Sequence, residues 1–173
     1  MEKAFAEWPR SLWSEDSLKW EFPEIDNGDS FDVVVVGAGY SGLWTAQHLL
    51  NLNPSLSVAI LDARQPGFGA SGRNGGWCSA FSPMSLEAVA AQSNKQGAID
   101  LQNALVASVD EIGAYVASSG IDCGWHKGGT LSFASSQLQL QGIKETIEMS
   151  RDFGYDDSFM TYLSSEQAEN RVR

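Results

Sequence analysis

The chain has 173 residues, 43% of them hydrophobic, and it carries 22 acidic and 11 basic side chains, giving a formal charge of −11 at pH 7. Such a negative charge argues against nucleic acid or an anionic membrane surface as a partner, because both require basic patches. No apolar run approaches the ~18 residues of a membrane-spanning helix. Two isolated cysteines, Cys78 and Cys123, form neither a disulfide framework nor a metal-binding spacing. We therefore expect a cytoplasmic chain with a packed core, no metal site and no membrane span.

Charged residues divide the chain into distinct segments. Residues 1–30 are acidic and contain Trp8, Trp13 and Trp20, whereas residues 31–82 carry only four charged side chains. The leader fits two interpretations. It is either a disordered lead-in or a strap whose tryptophans dock on the following domain, since indole rings are costly to leave in water. The low charge of residues 31–82 indicates a buried or ligand-lined core.

A β-α-β unit is the first regular structure that the sequence predicts. Phe31–Val36 is a short β-branched apolar run, typical of a buried parallel strand. Helical periodicity follows over Leu43–Leu52 and ends at Asn53-Pro54. The strand pattern returns over Leu56–Leu61. Two strands and a crossover helix in about 30 residues have the size of a dinucleotide-binding unit.

The rest of the chain is predicted to be mainly helical. We expect a helical segment over Ser85–Ser119, stopped by Gly120, and a helix from the N-cap Ser136 to Phe153. Short strands are expected on both sides of a glycine turn, and a capping box starts a last helix. These remaining elements are strands at 121–123 and 130–134, a strand end at Tyr162-Leu163, and the capping box of Ser164 and Gln167.

Gly37, Gly39 and Gly42 form a Gly-x-Gly-x-x-Gly turn between the first strand and the first helix. In this pattern the first glycine makes the turn, the second admits a pyrophosphate close to the backbone, and the third lets the helix approach the strand. The start of the helix then offers N–H groups to phosphate. This context predicts dinucleotide binding, with a glycine-rich turn in an unrelated α/β domain as the alternative.

Asp62 ends the second predicted strand, 20 residues after Gly42. A carboxylate at this position accepts hydrogen bonds from the ribose hydroxyls of an adenosine. It also disfavours NADP, because a 2′-phosphate would meet a negative charge. The alternative is an acid at a strand end that only faces solvent.

A second glycine-rich stretch, residues 67–76 with the sequence GFGASGRNGG, follows closely. Small residues let a backbone run against a flat ligand or a phosphate chain. Arg73 is suited to a phosphate or to a substrate carboxylate. The alternative is a flexible surface loop.

Three segments together resemble the N-terminal part of the FAD-dependent amine oxidoreductases, the family of D-amino acid, glycine and sarcosine oxidases: VVVVGAGYSGLWTA, ILDAR and GFGASGRNGGW. The third segment, with IDCGWHKGGTLSFASSQLQ further along, is most similar to the gamma-glutamylputrescine oxidoreductase branch. The resemblance covers residues 30–173. It implies an α/β fold in which a Rossmann-like FAD/NAD(P)-binding domain, incomplete in this chain, leads into an α+β substrate domain.

The resemblance also implies an FAD site and assigns its residues. Gly37–Gly42 would hold the pyrophosphate, and Asp62 would take the adenosine ribose, where glutamate is commoner in the family. Ala63 and Arg64 would lie beside the ribose and adenine, and residues 69–76 would follow the pyrophosphate and ribityl chain. The implied cofactor-binding residues are Gly37, Ala38, Gly39, Tyr40, Ser41, Gly42, Asp62, Ala63, Arg64, Gly69, Ala70, Ser71, Arg73, Asn74, Gly75 and Gly76.

The chemistry implied by the resemblance is oxidation of a C–N bond in a small-molecule amine or amino acid. A hydride passes to the flavin from the carbon beside the nitrogen, and water hydrolyses the resulting imine. Because the flavin carries the hard step, no catalytic residue is assigned. The particular amine, the electron acceptor and the oligomeric state are not specified by the sequence. A nucleotide-binding module that takes NAD without flavin is the alternative.

Members of this family are considerably longer than the chain, and they return to the FAD domain after the substrate domain. The predicted divisions are an acidic Trp-containing leader at 1–30, an FAD-binding βαβ unit with its glycine-rich loop at 31–82, a helical segment at 83–119, and the start of a substrate domain at 120–173. We therefore expect the N-terminal portion of a two-domain flavoenzyme. A non-functional fragment is the further alternative, which would bind FAD weakly and aggregate through exposed sheet edges.

Other side chains that could take part in binding or catalysis have less specific interpretations. His48 fits a packed or solvated helix position, and His126 fits either a surface turn or a substrate contact. Cys78 matches no motif for covalent flavin attachment, and Cys123 is expected to be a small buried residue. Trp125 fits a core position and a pocket wall equally well.

Overall fold

The computed structural model of the protein describes residues 11–14 and 21–171. The chain forms two compact units, residues 1–77 and residues 78–173. Trp8 and Trp20, two of the three leader tryptophans, lie outside the described residues, so only Trp13 bears on the predicted strap.

The first unit contains a parallel sheet made of two runs of branched apolar residues. Strand β1 is Val33–Val36 and strand β2 is Val58–Leu61. The strands pair in parallel with Val33 opposite Val58, and each begins two residues later than its apolar run. The prediction of two parallel strands joined by a helix is confirmed.

Helix α1, Tyr40–Leu52, forms the crossover between the two strands. It begins at Tyr40 rather than at Leu43, because the glycine turn passes directly into the helix at the N-cap Gly39. It ends where predicted, at Asn53, whose backbone N–H donates to the carbonyl of Leu49 over 2.9 Å. The β-α-β unit is therefore closed within 29 residues, Val33 to Leu61.

Helix α1 lies against one face of the sheet. A Cβ added at Gly42 would lie 1.9 Å from the carbonyl oxygen of Gly37 and 3.3 Å from Cγ1 of Val35, so helix and strand meet at glycine. Val34 and Val36 alternate to the other face, where their side chains are 46% and 85% exposed. The core of this unit therefore lies on the Val35 side of the sheet.

Asp32 and Ser57 clamp the strands together at the residues that precede them. The Ser57 backbone N–H and hydroxyl both donate to Oδ2 of Asp32, over 2.8 and 2.7 Å. The backbone N–H of Asp32 donates in return to Oγ of Ser57 over 3.0 Å. This reciprocal contact fixes the register of the sheet at its first residue pair.

The second unit begins with two helices inside the segment predicted to be helical, Ser85–Ser119. Helix α2 is Leu86–Gln92 and helix α3 is Lys95–Ser119. The break falls at Ser93 and Asn94, because the Asn94 side chain accepts the N–H of Gly97 and caps a new helix. Gly120 then ends α3 in the left-handed conformation, with φ 67°, as predicted.

Helix α3 is amphipathic from Leu105 to Val116. An apolar stripe runs along this helix, with Leu101 exposed and its other members half-buried: Leu105, Val109, Ile112 and Val116. The opposite face of the helix carries charged side chains such as that of Asp110. No helix in the described ranges is long and apolar enough to cross a membrane.

Two capped helices follow, both near their predicted positions. Helix α4, Gln137–Asp152, starts at Ser136, whose hydroxyl accepts the N–H of Gln139, and it buries Ile147. The chain then turns at Gly154, with φ 91°. The short helix α5 is residues 165–169, and its predicted capping box is present: Ser164 and Gln167 each accept the other's backbone N–H.

The strands predicted at 121–123 and 130–134, and the strand end at Tyr162-Leu163, are not formed. These residues have no regular structure, and β1 and β2 are the only strands among the described residues. A strand requires a partner for its backbone hydrogen bonds, and no described residue pairs with these segments. The regular elements described after β2 are therefore all helical.

Gly42→Ala tests the close contact between α1 and β1. The new methyl group would overlap the backbone carbonyl of Gly37, and we expect a loss of about 3 kcal/mol in the free energy of unfolding. Gly142→Ala is the matched control, because the space around this helical glycine is open and alanine should add about 0.5–1 kcal/mol. Urea unfolding followed by circular dichroism measures both, and equal stability of wild type and Gly42→Ala would contradict the packing.

Asp32→Asn tests the clamp between the strands. Hydrogen bonds from the Ser57 backbone and then its hydroxyl hold the pKa of Asp32 below its ordinary value of 3.8. The carboxylate therefore stabilises the fold fully above that value, and its contribution is lost as the pH falls through the lower folded-state pKa. We expect acid to lower the urea midpoint of wild type more than that of Asp32→Asn. Equal acid sensitivity would show that the clamp contributes nothing.

Candidate functional site

The first glycine turn, residues 37–42, joins β1 to α1 beside the end of β2. Gly37 has a φ of 104°, a left-handed conformation that favours glycine. Its N–H donates to the carbonyl of Leu61 over 2.7 Å. The turn places the start of α1 at the carboxyl end of the parallel strands, which is where sheets of this kind bind ligands.

Asp62 holds the first turn through both oxygens of its carboxylate. Oδ2 accepts the backbone N–H of Ala38 over 2.7 Å, and Oδ1 accepts that of Arg64 over 2.8 Å. The side chain is exposed but ordered, so it does more than face solvent. Each carboxylate oxygen has a further lone pair, and the group can accept a ribose hydroxyl while it holds the turn.

The second glycine segment forms another turn of the same design. Gly67 has a φ of 73°, and a Cβ at Gly72 would lie 2.2 Å from the carbonyl oxygen of Gly67. A 3-10 turn, Ala70–Gly72, begins after Gly69 as α1 begins after Gly39. Gly67, Gly69 and Gly72 therefore repeat the Gly-x-Gly-x-x-Gly spacing. Gly72 lies within the range 69–76 assigned from the resemblance but is not named among its binding residues, and Gly67 lies outside it, although the repeated spacing identifies both.

Hydrogen bonds join the two turns into one surface. The N–H of Gly67 donates to the carbonyl of Ala38 over 2.9 Å. The hydroxyl of Ser71 accepts the N–H of Tyr40 over 3.0 Å, and the Asn74 amide donates to the Tyr40 hydroxyl over 3.1 Å. The structure thus brings together the predicted residues from Gly37 to Gly42, Asp62, and the loop that follows.

Arg64 and Arg73 both lie over the ring of Phe68. Their guanidinium carbons are 5.9 and 5.2 Å from the ring centroid, within the range of a cation–π interaction. Nε of Arg73 also donates to the Phe68 carbonyl over 2.9 Å. Arg73 therefore stabilises the second turn from within and places a positive charge beside it.

Backbone donors and open space at the two turns fit the pyrophosphate of a dinucleotide. The first N–H groups of a helix lack intrahelical acceptors, and no described residue accepts the N–H of Gly39, Ser41 or Gly42. A Cβ added at Gly69 or Gly75 would meet no atom within 4 Å. Phosphate oxygens can therefore approach both backbones, as anions do at helix N-termini.

The remaining candidate residues lie apart from this surface. His48 stacks on Trp44 within α1, with ring centroids 5.4 Å apart. His126 is exposed, and so are the thiols of Cys78 and Cys123, which corrects the expectation that Cys123 is buried. Cys123 precedes Gly124, whose φ is 65°, in a loop without regular structure, and it lines an open cavity, so its thiol is accessible. The described residues include no cluster of His, Cys, Asp and Glu positioned to hold a metal ion.

Trp125 combines the two roles between which the sequence left a choice. It is half-buried and lies against α3, where a Cβ on Gly113 would be 2.9 Å from its Nε1. It also lines an open cavity of about 480 Å³ together with Val116, Ile121 and Cys123. The indole is therefore a packing group at the wall of a shallow pocket in the second unit.

Known proteins are similar to this chain over the region that contains the two glycine turns and Asp62. The family model for FAD dependent oxidoreductases, DAO, matches residues 32–173. The probable oxidoreductase OrdL of Haemophilus influenzae is 29% identical over 159 residues, which is 89% of this chain and 36% of that protein. The gamma-glutamylputrescine oxidoreductase of Escherichia coli is 31% identical over 133 residues, 77% of this chain and 30% of that protein. No solved structure gives a significant match.

The family match and the geometry concern the same residues. The matched region begins one residue before β1 and contains both glycine turns and Asp62. The chain spans about a third of the length of the two curated relatives. On the family match, which covers most of its length, the chain belongs to the FAD-dependent oxidoreductase family DAO.

Proposed function

We propose that this chain forms part of the FAD site of an oxidoreductase that oxidises the C–N bond of an amine or amino acid. The observation that carries the proposal is the pair of joined glycine turns, 37–42 and 67–72, with Asp62 beside them. A single turn is sufficient for the phosphates of a nucleotide. A second turn hydrogen-bonded to the first extends the surface along a longer cofactor, which favours FAD over NAD.

Each part of the surface has a proposed place along the cofactor. The N–H groups of Gly39, Ser41 and Gly42, which no described residue accepts, bind the pyrophosphate, because they combine available donors with the positive end of the α1 dipole. Asp62 accepts the adenosine ribose hydroxyls, and Ala63 and Arg64 lie next to it in the chain on the adenine side.

The loop of residues 69–76 is proposed to follow the pyrophosphate and the ribityl chain. Gly69 and Gly75 leave open space beside the backbone for such a ligand. Ser71 and Asn74 are fixed by their hydrogen bonds to Tyr40. The loop therefore offers a shaped edge and not a freely moving segment.

FAD supplies the redox chemistry when bound: it accepts a hydride from the carbon beside the nitrogen, and the imine that results is hydrolysed to a carbonyl compound and an amine. The residues of this chain bind and orient the cofactor, and none is assigned to proton transfer. The amine class is supported by the Escherichia coli relative, whose name gives gamma-glutamylputrescine as what it acts on. A cytoplasmic location and a substrate domain that begins near residue 120 belong to the same proposal.

Asp62→Asn tests the assignment of the carboxylate. An asparagine keeps one acceptor but turns an N–H₂ group toward a backbone N–H, so the variant loses charge-assisted hydrogen bonds to the turn and to the ribose. We expect FAD affinity to fall roughly 10- to 100-fold, measured by flavin fluorescence titration. Asp62→Glu should retain most of the affinity for FAD, because glutamate is the commoner residue at this position in the family. Asp152→Asn, a carboxylate in the last turn of α4, is the control, and equal effects of Asp62→Asn and Asp152→Asn would refute the assignment.

Cofactor choice and reaction class are tested together on the whole protein. We expect a yellow protein that binds FAD in preference to NAD when the two are titrated separately. Mixing with amines and amino acids without oxygen should bleach the flavin absorbance for at least one of them. A protein that takes up no FAD, or that prefers NAD, would overturn the proposed cofactor. A flavin that no amine or amino acid bleaches would overturn the proposed C–N oxidation.

A further inference from the structure

A short segment of the leader lies on the second glycine turn. The 3-10 turn Leu12–Ser14 places the indole N–H of Trp13 so that it donates to the carbonyl of Asn74 over 2.6 Å. The hydroxyl of Ser11 donates to the carbonyl of Gly72. Sixty-one residues separate the partners of each bond, so these contacts are tertiary.

The two acceptor carbonyls bracket Arg73 in the middle of the loop. The Trp13 ring also reaches Gly76, where an added Cβ would lie 3.8 Å from it. Gly76 has a φ of 73°, a conformation that only glycine adopts readily. A segment with this glycine content loses much backbone entropy on ordering, and contacts from outside the loop reduce the number of conformations open to it.

The loop also contacts the first turn and the start of α1. Gly67 donates to Ala38, and Ser71 and Asn74 bond Tyr40, all of them residues of the first turn and α1. Ser11 and Trp13 donate to two other groups of the same loop. These are the carbonyls of Gly72 and Asn74, which take no part in the contacts with the first turn. The loop therefore forms hydrogen bonds both with the first turn and with the leader.

We propose that Ser11 and Trp13 form a strap that positions the loop of residues 67–76 for the cofactor. This inference rests on the proposed FAD site. The two residues are positioning residues, because they contact the loop's backbone carbonyls and act on the ligand only through the loop. Their role also favours the strap over the disordered lead-in for the part of the leader that the structure describes.

Trp13→Phe tests the strap, because it keeps an aromatic ring and removes the indole N–H. Trypsin cleavage after Arg73 reports on the loop without any cofactor, since that bond lies between the two strapped carbonyls. We expect the initial rate of cleavage at Arg73-Asn74 in the apoprotein to rise roughly 3- to 10-fold, as for the loss of one hydrogen bond. Cleavage after Lys127, an exposed residue of the other unit, should not change, which makes it the internal control. Ser11→Ala should act in the same direction.

FAD titration of the same variants distinguishes a failure of the strap from a failure of the proposed FAD site. We expect Trp13→Phe to weaken FAD binding by a factor similar to the gain in cleavage, and Leu12→Ala, whose side chain is 72% exposed, to change neither. Faster cleavage in a protein that binds no FAD would support the strap and overturn the proposed function. Unchanged cleavage and affinity in both Trp13→Phe and Ser11→Ala would overturn the strap.

Discussion

Main-chain atoms lie in direct contact within each of two glycine turns, and the candidate site depends on these two contacts. A Cβ at Gly42 would be 1.9 Å from the carbonyl of Gly37, and a Cβ at Gly72 would be 2.2 Å from that of Gly67. No side chain fits either place. The first contact seats α1 on the sheet, and the second closes the following loop into a turn of the same shape. Both leave backbone N–H groups and open glycine faces at one edge.

Polar side chains convert these two turns into a single surface. Asp62 ties the first turn to the end of β2, and Ser71 ties the second turn to the start of α1. The site is therefore built mainly from main-chain groups, and its side chains serve to hold loops in place. Such a surface is suited to a cofactor that brings its own chemistry, because binding and orientation are what the protein must supply.

The β-α-β unit could be predicted from the sequence because each of its signals is local. Four valines in a row, a glycine spacing and a capping residue act within a few neighbours, and Ser136, Ser164 and Gly120 end or start helices as predicted. The break at Ser93 lies inside the segment predicted to be helical, and a single capping residue, Asn94, marks it. The strands expected near Gly128 depend on a distant partner, which local pattern does not reveal. The strap of Ser11 and Trp13 is likewise a long-range contact, and its position on the loop could be seen only in the structure.

Amide hydrogen exchange of the whole protein, with and without FAD, tests most directly whether the two turns act as one cofactor surface. If they do, FAD slows exchange in residues 37–42 and in residues 67–76 together, with little change in α4, which lies in the other unit. NAD at the same concentration should protect the first turn at most. Protection by FAD of only one turn, or of neither, would contradict the claim that they form a single site.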